Sequence, residues 1–402
     1  MEALMTALAF AIPCFKRAVP TIIALILITA IVNAIRHRHV SVPYNPLPNL
    51  FVAGIFMLLV VGLTYSAHPD DGVNEIGIKL SFLIFPLLGF LLPDITPSQY
   101  KQYCRGFIAG CFAFILITVV RASMRSIEAH DLYYMSYESL SWYVHPTYAA
   151  TYQALSLFML FQLWLKKEYV FGKHVVHLLA VIVSLIFIAM LSSKAGLIAV
   201  LIAIAGSAFV AHRKRIPIIR IVGSAAVAIA LLIGSTLILP SSAKRISSAL
   251  SDVKHAEENQ VLAPEKEVSY SSTQLRLVTW SASWQLMTEN AFGVGTGETE
   301  HALTSIYLQE GETYAAKRKL NAHNQFLQLG AELGWPALLL LCACLVTLSQ
   351  QAFQRHEPAL AVFVALCAMN FLFESFLEVQ AGIVFFCFWI LIFTKTKTTS
   401  PL

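Results

Sequence analysis

The sequence predicts an all-α polytopic integral membrane protein with about 12 transmembrane helices, and three observations carry that prediction. Of its 402 residues, 57% are hydrophobic and only 13% charged, against roughly 45–50% and about 25% in a soluble domain. The charges gather in short clusters between apolar runs of membrane-spanning length. A lone segment in lipid must satisfy its own backbone polar groups, so each run reads as a helix. This composition excludes a soluble enzyme, a disordered chain and a nucleic-acid binder.

In chain order the apolar runs cover 3–15, 19–35, 48–65, 77–92, 103–121, 146–165, 174–191, 194–211, 217–239, 326–350, 358–373 and 375–394. The first is short and reads as a partial or tilted span. One set of alternate loops carries Arg36 and Arg38, Lys101 and Arg105, Lys166 and Lys167, Arg213 to Arg215, Arg355, and finally Lys395 and Lys397. The other set holds Asp70, Asp71 and Glu75, then Glu128, Asp131 and Glu138, then Glu374 and Glu378. By the positive-inside rule both termini are cytoplasmic, with Lys16 and Arg17 as the one misplaced pair. Residues 1–239 then hold spans one to nine, 240–325 a large outer loop, and 326–402 spans ten to twelve with a cytoplasmic tail.

Met1–Cys14 is apolar but follows no basic stretch, so no cleavable signal is expected. The seven cysteines fall almost entirely within apolar runs and read as small hydrophobes, with neither a disulfide framework nor CxxC spacing. No internal repeat is visible, which counts against an inverted-repeat transporter.

Two outer loops are long, 122–145 and 240–325. The second opens on a polar stretch, Ser247–Ser272, and later places Leu275, Val278, Ala282 and Leu286 at helical spacing. Arg276 sits one turn into that amphipathic stretch, near Trp280 and Trp284. A snorkelling arginine in an aromatic belt explains these residues; so does an anion clamp, because a guanidinium fork matches phosphate oxygens. The run Phe292-Gly293-Val294-Gly295-Thr296-Gly297 lacks the βαβ setting of a dinucleotide fingerprint and reads better as a structural turn. His323 and Asn324 stand where the tenth run enters the membrane. A neutral imidazole there suits a general base, a hydrogen-bonded cap is the plainer reading, and metal-ligand spacing is absent.

Three further outer features complete the candidates. Ser192-Ser193-Lys194-Ala195-Gly196 turns between spans seven and eight, and Trp142 to Tyr148, with His145, opens span six. Glu374 and Glu378, four residues apart, are expected on one face of a helix. Carboxylates at membrane depth are functional candidates, although pairing with Arg276 or Lys194 to hold the outer face together explains them equally well.

Taken together, the many spans, the turn at Lys194, the large loop, Arg276 before Trp280, the glycine run, and His323-Asn324 followed by Gly334-Trp335-Pro336 resemble the O-antigen ligase and O-antigen polymerase superfamily of bacterial envelope glycosyltransferases. The likeness covers most of the chain, and Lys194 stands where many members have arginine. The resemblance implies a bacterial inner-membrane enzyme whose large periplasmic loop contains short helices. It implies transfer of a glycan from an undecaprenyl-pyrophosphate carrier to an acceptor hydroxyl, metal-independent and with inversion, and no cofactor. The acceptor is a lipid A–core oligosaccharide for a ligase and another lipid-linked repeat unit for a polymerase. A protein O-oligosaccharyltransferase and a lipid-linked sugar transporter rank lower.

On this resemblance Arg276 and His323 are the expected catalytic residues. Arg276 grips the pyrophosphate, helped by Lys194, Arg121 and Arg125, and His323 takes the acceptor proton. Asn324, His145, Glu374 and Glu378 complete the expected substrate-binding set.

Overall fold

The structure is a computed structural model that describes residues 1–37, 41–170, 172, 174–191, 193–217 and 272–397. The ninth apolar run and the polar opening of the large loop lie almost wholly outside these residues, as do Arg38, His39, Lys173 and Ser192. The described residues are helical, with an isolated bridge between Ile95 and Thr396.

Two helices form the centre. α8 (Pro146–Leu165) and α16 (Gln380–Lys395) are buried along nearly their whole length. A helix buried on all sides needs no polar face, yet α8 carries Thr151, Gln153 and Ser156 inside. Two of them bind neighbouring helices: Gln153 donates to the Cys111 carbonyl at 3.0 Å, and Thr151 accepts from Asn370 at 2.8 Å. The Tyr152 hydroxyl joins the two central helices by donating to the Ala381 carbonyl at 2.9 Å.

Around them lie α1 (Glu2–Cys14), α2 (Val19–His37), α3 (Leu47–Gly62), α4 (Pro69–Lys79), α5 (Ser81–Leu91), α6 (Pro97–Ala129), α9 (His174–Met190) and α10 (Lys194–Arg213). α14 (Gln325–Gln354) and α15 (Pro358–Phe373) close the bundle, and α7 (Tyr137–Ser141) lies between α6 and α8. Among the described residues, five helical segments are long and apolar enough to cross a membrane: α2, α4 with α5, α6, α10 and α14. Five shorter apolar helices accompany them: α1, α3, α9, α15 and α16.

Several boundaries differ from the hydropathy reading. α6 runs to Ala129 rather than ending at 121, so Arg125 rides the same helix as Arg121 instead of lying in a loop. At ~1.5 Å per residue its 33 residues extend about 50 Å, beyond the ~30 Å hydrocarbon core. A capping box between Thr96 and Gln99 fixes its start. The fourth run begins earlier, at Pro69, and is interrupted at Leu80.

The expectation that Glu374 and Glu378 share a helical face is corrected. The helix stops at Phe373, Glu374 is extended (φ −147°, ψ 146°), and a 3-10 turn at Phe376–Glu378 follows. Without the helical repeat between them, the two carboxylates go to different partners.

The bundle has two distinguishable ends. At one, Lys395 and Lys397 meet Asp94 at 3.4 and 2.9 Å, and Gln99 donates to Glu2 at 3.4 Å. At the other, Lys16 donates to the Tyr143 carbonyl at 3.2 Å, two residues before His145. Lys16 of the misplaced basic pair therefore has a partner at the end that carries the site.

A candidate site of histidine, glutamate and arginine

Within the large loop, the predicted amphipathic stretch is a helix, α11 (Ser272–Glu289). It is followed by α12 (Thr299–Gln309) and α13 (Thr313–Lys317). Ala282 and Leu286 of α11 pack with Leu303, Ile306, Tyr307 and Ala315 as a small apolar core of their own. Thr279 anchors α11 to the chain before α14 by donating to the Ala322 carbonyl at 3.2 Å. Arg276, one turn earlier, is thereby held next to His323.

Glu374 joins the two. One carboxylate oxygen lies 3.3 Å from Arg276 Nη2 and the other 3.3 Å from His323 Nδ1. Burial pushes the Glu374 carboxyl up, but the His323 hydrogen bond and the charges of His145, His323 and Arg276 outweigh it and hold the group below the usual range. An ionised Glu374 favours the tautomer with the proton on Nδ1, leaving Nε2 as the basic nitrogen. The Arg276 Nε is buried without a hydrogen-bond partner, so one edge of the guanidinium remains for an acceptor.

The local backbone serves this placement. His323 adopts a left-handed conformation (φ 45°), and its N–H donates to Asn321 Oδ1 at 3.0 Å. Asn321 Oδ1 also accepts from the Ser375 hydroxyl at 3.3 Å, tying the His323 turn to the Glu374 turn. Asn324 is the N-cap of α14, accepting from Phe326 and Leu327 N–H at 2.9 and 3.1 Å. Its amide nitrogen donates to the Leu372 carbonyl at 3.3 Å, so the side chain has a structural task at the edge of the His323 turn.

His145 caps α8, its Nδ1 accepting from Thr147 N–H at 3.4 Å. Burial, with the positive charge of Arg276 nearby, outweighs Glu374 and Glu138 and lowers its pKa. Ser193 caps α10 through Gly196 and meets the Thr147 hydroxyl at 3.2 Å, which brings the exposed Lys194 beside the start of α8. Arg121 is engaged elsewhere: it donates to the Ser139 carbonyl at 3.3 Å and lies over the Trp142 ring at 4.3 Å. Arg125 shares with it a shallow depression along α6 itself. The structure therefore does not join Arg121 and Arg125 to the His323 group.

Sequence reasoning missed a second cluster. Lys79, 1% exposed, makes ion pairs with Glu75 at 2.5 Å and with Glu332 and Glu378 at 2.8 Å. Glu378 also accepts from Gln325 at 2.9 Å, and burial keeps its carboxyl above the usual range despite Lys79. The three carboxylates offer oxygens within 4.8 Å of one another, spacing suited to an ion; the Lys79 ammonium already supplies positive charge among them. Lone charges in apolar runs, Lys79 in the fourth and Glu332 in the tenth, were the available signal.

The glycine run is a turn, as its composition suggested. In α14, Gly334 leaves the helical conformation (φ 74°, ψ −168°) and Pro336 has no N–H. The carbonyls of Ala331 and Glu332 are thereby freed, and they accept from Val294 and Gly295 N–H at 2.9 Å each. Gly297 N–H donates to Glu75 at 2.9 Å. A Cβ on Gly297 would stand 2.3 Å from the Gly72 nitrogen, so α4 and the run approach more closely than a side chain permits.

The fold and site define a polytopic helical membrane protein with a histidine–glutamate–arginine group at one end of its bundle. Residues 179–342, which include Lys194, Arg276, His323 and Glu332, match the family described as O-antigen ligase. The match supports the O-antigen ligase superfamily for this chain, whose members are glycosyltransferase-like enzymes. A comparison with curated proteins finds no match.

Proposed function

We propose that the protein is an O-antigen ligase that moves a glycan from undecaprenyl pyrophosphate to a lipid A–core hydroxyl at the periplasmic face. The observation that carries this reading is Glu374 held 3.3 Å from both a histidine and an arginine. In the proposed step the acceptor oxygen attacks the anomeric carbon from the face opposite the pyrophosphate. The glycosidic C–O bond breaks, its electron pair stays on the phosphate oxygen, and the acceptor proton passes to His323 Nε2. Arg276 meets the charge that grows on the leaving group through the guanidinium edge not used by Glu374, and Lys194 adds a second cation. Glu374 orients the imidazole and stabilises its protonated form.

The inner-membrane topology with both termini cytoplasmic is part of the same proposal. It is supported by the grouping of Lys101, Lys166, Arg355, Lys395 and Lys397 away from the site, where the positive-inside rule expects them.

The test is reconstitution of purified protein with undecaprenyl-pyrophosphate-linked glycan and lipid A–core, without added metal, followed by gel banding. Glycan on lipid A–core, lost in His323→Ala, is the expected outcome. Lengthening of the glycan on its own carrier assigns a polymerase instead, and neither product removes the enzyme reading.

A further inference from the structure

At the end of the bundle away from His323, a cavity of about 340 Å³ opens among the first turns of α6 and α15 and the last turns of α8 and α16. α8 separates the two regions: His145 begins it and Lys166 follows its last residue, about 30 Å away at ~1.5 Å per residue. The cavity is not part of the His323 site.

Its lining is divided by chemistry. Met159, Leu163 and Phe393 form an apolar wall, while Lys101, Lys166, Arg355 and Lys397 supply four cations. Carboxylates answer three of them, since Lys101 pairs with Glu168 at 2.7 Å, Lys397 with Asp94 at 2.9 Å and Arg355 with Glu357 at 3.3 Å. The Arg355–Glu357 pair lacks hydrogen-bond geometry, and Arg355 Nη1 and Glu357 Oε2 are both buried without a hydrogen-bond partner. Burial pushes the Glu357 carboxyl up to about 7, against the pull of Arg355. Gln162 lines the same cavity with its Nε2 buried and unpartnered; the residue is 8% exposed.

Buried donors without acceptors are costly and uncommon. Here two of them, from Gln162 and from Arg355 itself, stand with Lys101, Lys166 and Lys397 beside an apolar wall. We propose that this cavity binds the phosphate head group of an anionic membrane lipid. The phosphate oxygens accept from Gln162 Nε2 and Arg355 Nη1, Lys166 and Lys397 balance the charge at the rim, and the glycerol and first acyl carbons lie against Met159, Leu163 and Phe393. A free phosphate ion satisfies the same donors but leaves that wall uncovered, which favours a lipid as the source.

The full-length protein in neutral detergent is incubated with dioleoylphosphatidylglycerol, with dioleoylphosphatidylcholine, or with sn-glycerol 3-phosphate, and retained adducts are measured by native mass spectrometry. The expected result is preferential retention of phosphatidylglycerol over phosphatidylcholine. Each rim cation removed, Lys166→Gln or Lys397→Gln, lowers that retention about fivefold. Gln162→Leu lowers it further, and a melting temperature close to wild type shows that these variants remain folded. Equal retention of the two lipids overturns the proposal, as does unchanged retention in the folded Gln162→Leu/Lys166→Gln variant. Binding of glycerol 3-phosphate as tight as that of the lipid assigns a soluble anion and overturns the lipid.

Discussion

Glu374→Gln tests the site most directly, because it keeps the side-chain volume and removes only the charge. As the acceptor proton reaches His323, the imidazolium stands 3.3 Å from the carboxylate. Two unit charges at that distance interact by about 5 kcal/mol at an effective dielectric constant of ~20. His323 is 32% exposed and Glu374 11%, so water screens part of this, and the glutamine amide still accepts a hydrogen bond. A net loss of about 3 kcal/mol remains, on the order of a hundredfold in kcat. KM should change little, since the carboxylate acts on the imidazole rather than on the lipid carrier. The assay is initial-rate transfer of labelled glycan to lipid A–core by purified variants with matched melting temperatures. A kcat within threefold of wild type, with His323→Ala inactive, would refute the role given to Glu374.

The other predictions concern the clamp and its supports. Arg276→Lys keeps a charge but loses the planar fork, and is expected to lower kcat by roughly tenfold to a hundredfold in the same assay; unchanged kcat would reduce Arg276 to a point charge. Lys79→Met leaves three carboxylates clustered without their cation and should cost about 3–5 kcal/mol of stability, read as a lowered melting temperature that Lys79→Met/Glu332→Gln partly restores. Gly334→Ala puts a Cβ 2.2 Å from the Ala291 carbonyl at φ 74°, and destabilisation by about 2 kcal/mol or more is expected by thermal unfolding. The Glu374 carboxyl is depressed from its ordinary 4.5, so its contribution to stability is complete above that pH. It is lost as pH falls through the lower folded value. The melting-temperature gap between wild type and Glu374→Gln should hold steady above pH 4.5 and close below it.

Much of the architecture was legible because hydropathy reports burial, and burial dominates here. It was less informative where burial came from protein rather than lipid. α8 was read as an ordinary span with the bounds it has, but nothing in its hydropathy marks it as the centre of the bundle, where Gln153 and Thr151 are satisfied by α6 and α15. Helix ends were misplaced where local chemistry overrides hydropathy, as at the Thr96 capping box and the polar first turns of α4. Arg276 and His323 were readable as residue types near a membrane entrance. Pairing of Glu374 with Arg276 was one of the two readings the sequence offered, and the structure has it; its contact with His323 was not readable, because Glu374 lies about fifty residues further on and meets it only through the fold. The expectation that Glu374 and Glu378 share a face failed for a related reason: four-residue spacing implies one face only while the helix continues, and it stops at Phe373.

That stop separates two tasks that one helix would have merged. Glu378 is turned toward Lys79, where it joins Glu75 and Glu332, while Glu374 faces Arg276 and His323. The Gln325 side chain ties the start of α14 to the 3-10 turn that follows Glu374, donating to Glu378 and accepting from Leu377 N–H. Glu332 lies on the same helix two turns further on, and the glycine run binds that helix at its own carbonyls. The buried ion cluster is thus fastened to the start of α14, to α4 and to the turn that presents Glu374. Shifting any of these moves the carboxylate relative to the imidazole, and a displacement of about 1 Å in a reacting group is enough to cost on the order of a hundredfold in rate. Substitutions at Lys79 that leave the protein folded should therefore lower kcat and spare KM, the signature of a positioning residue rather than of one that touches the lipid-linked glycan.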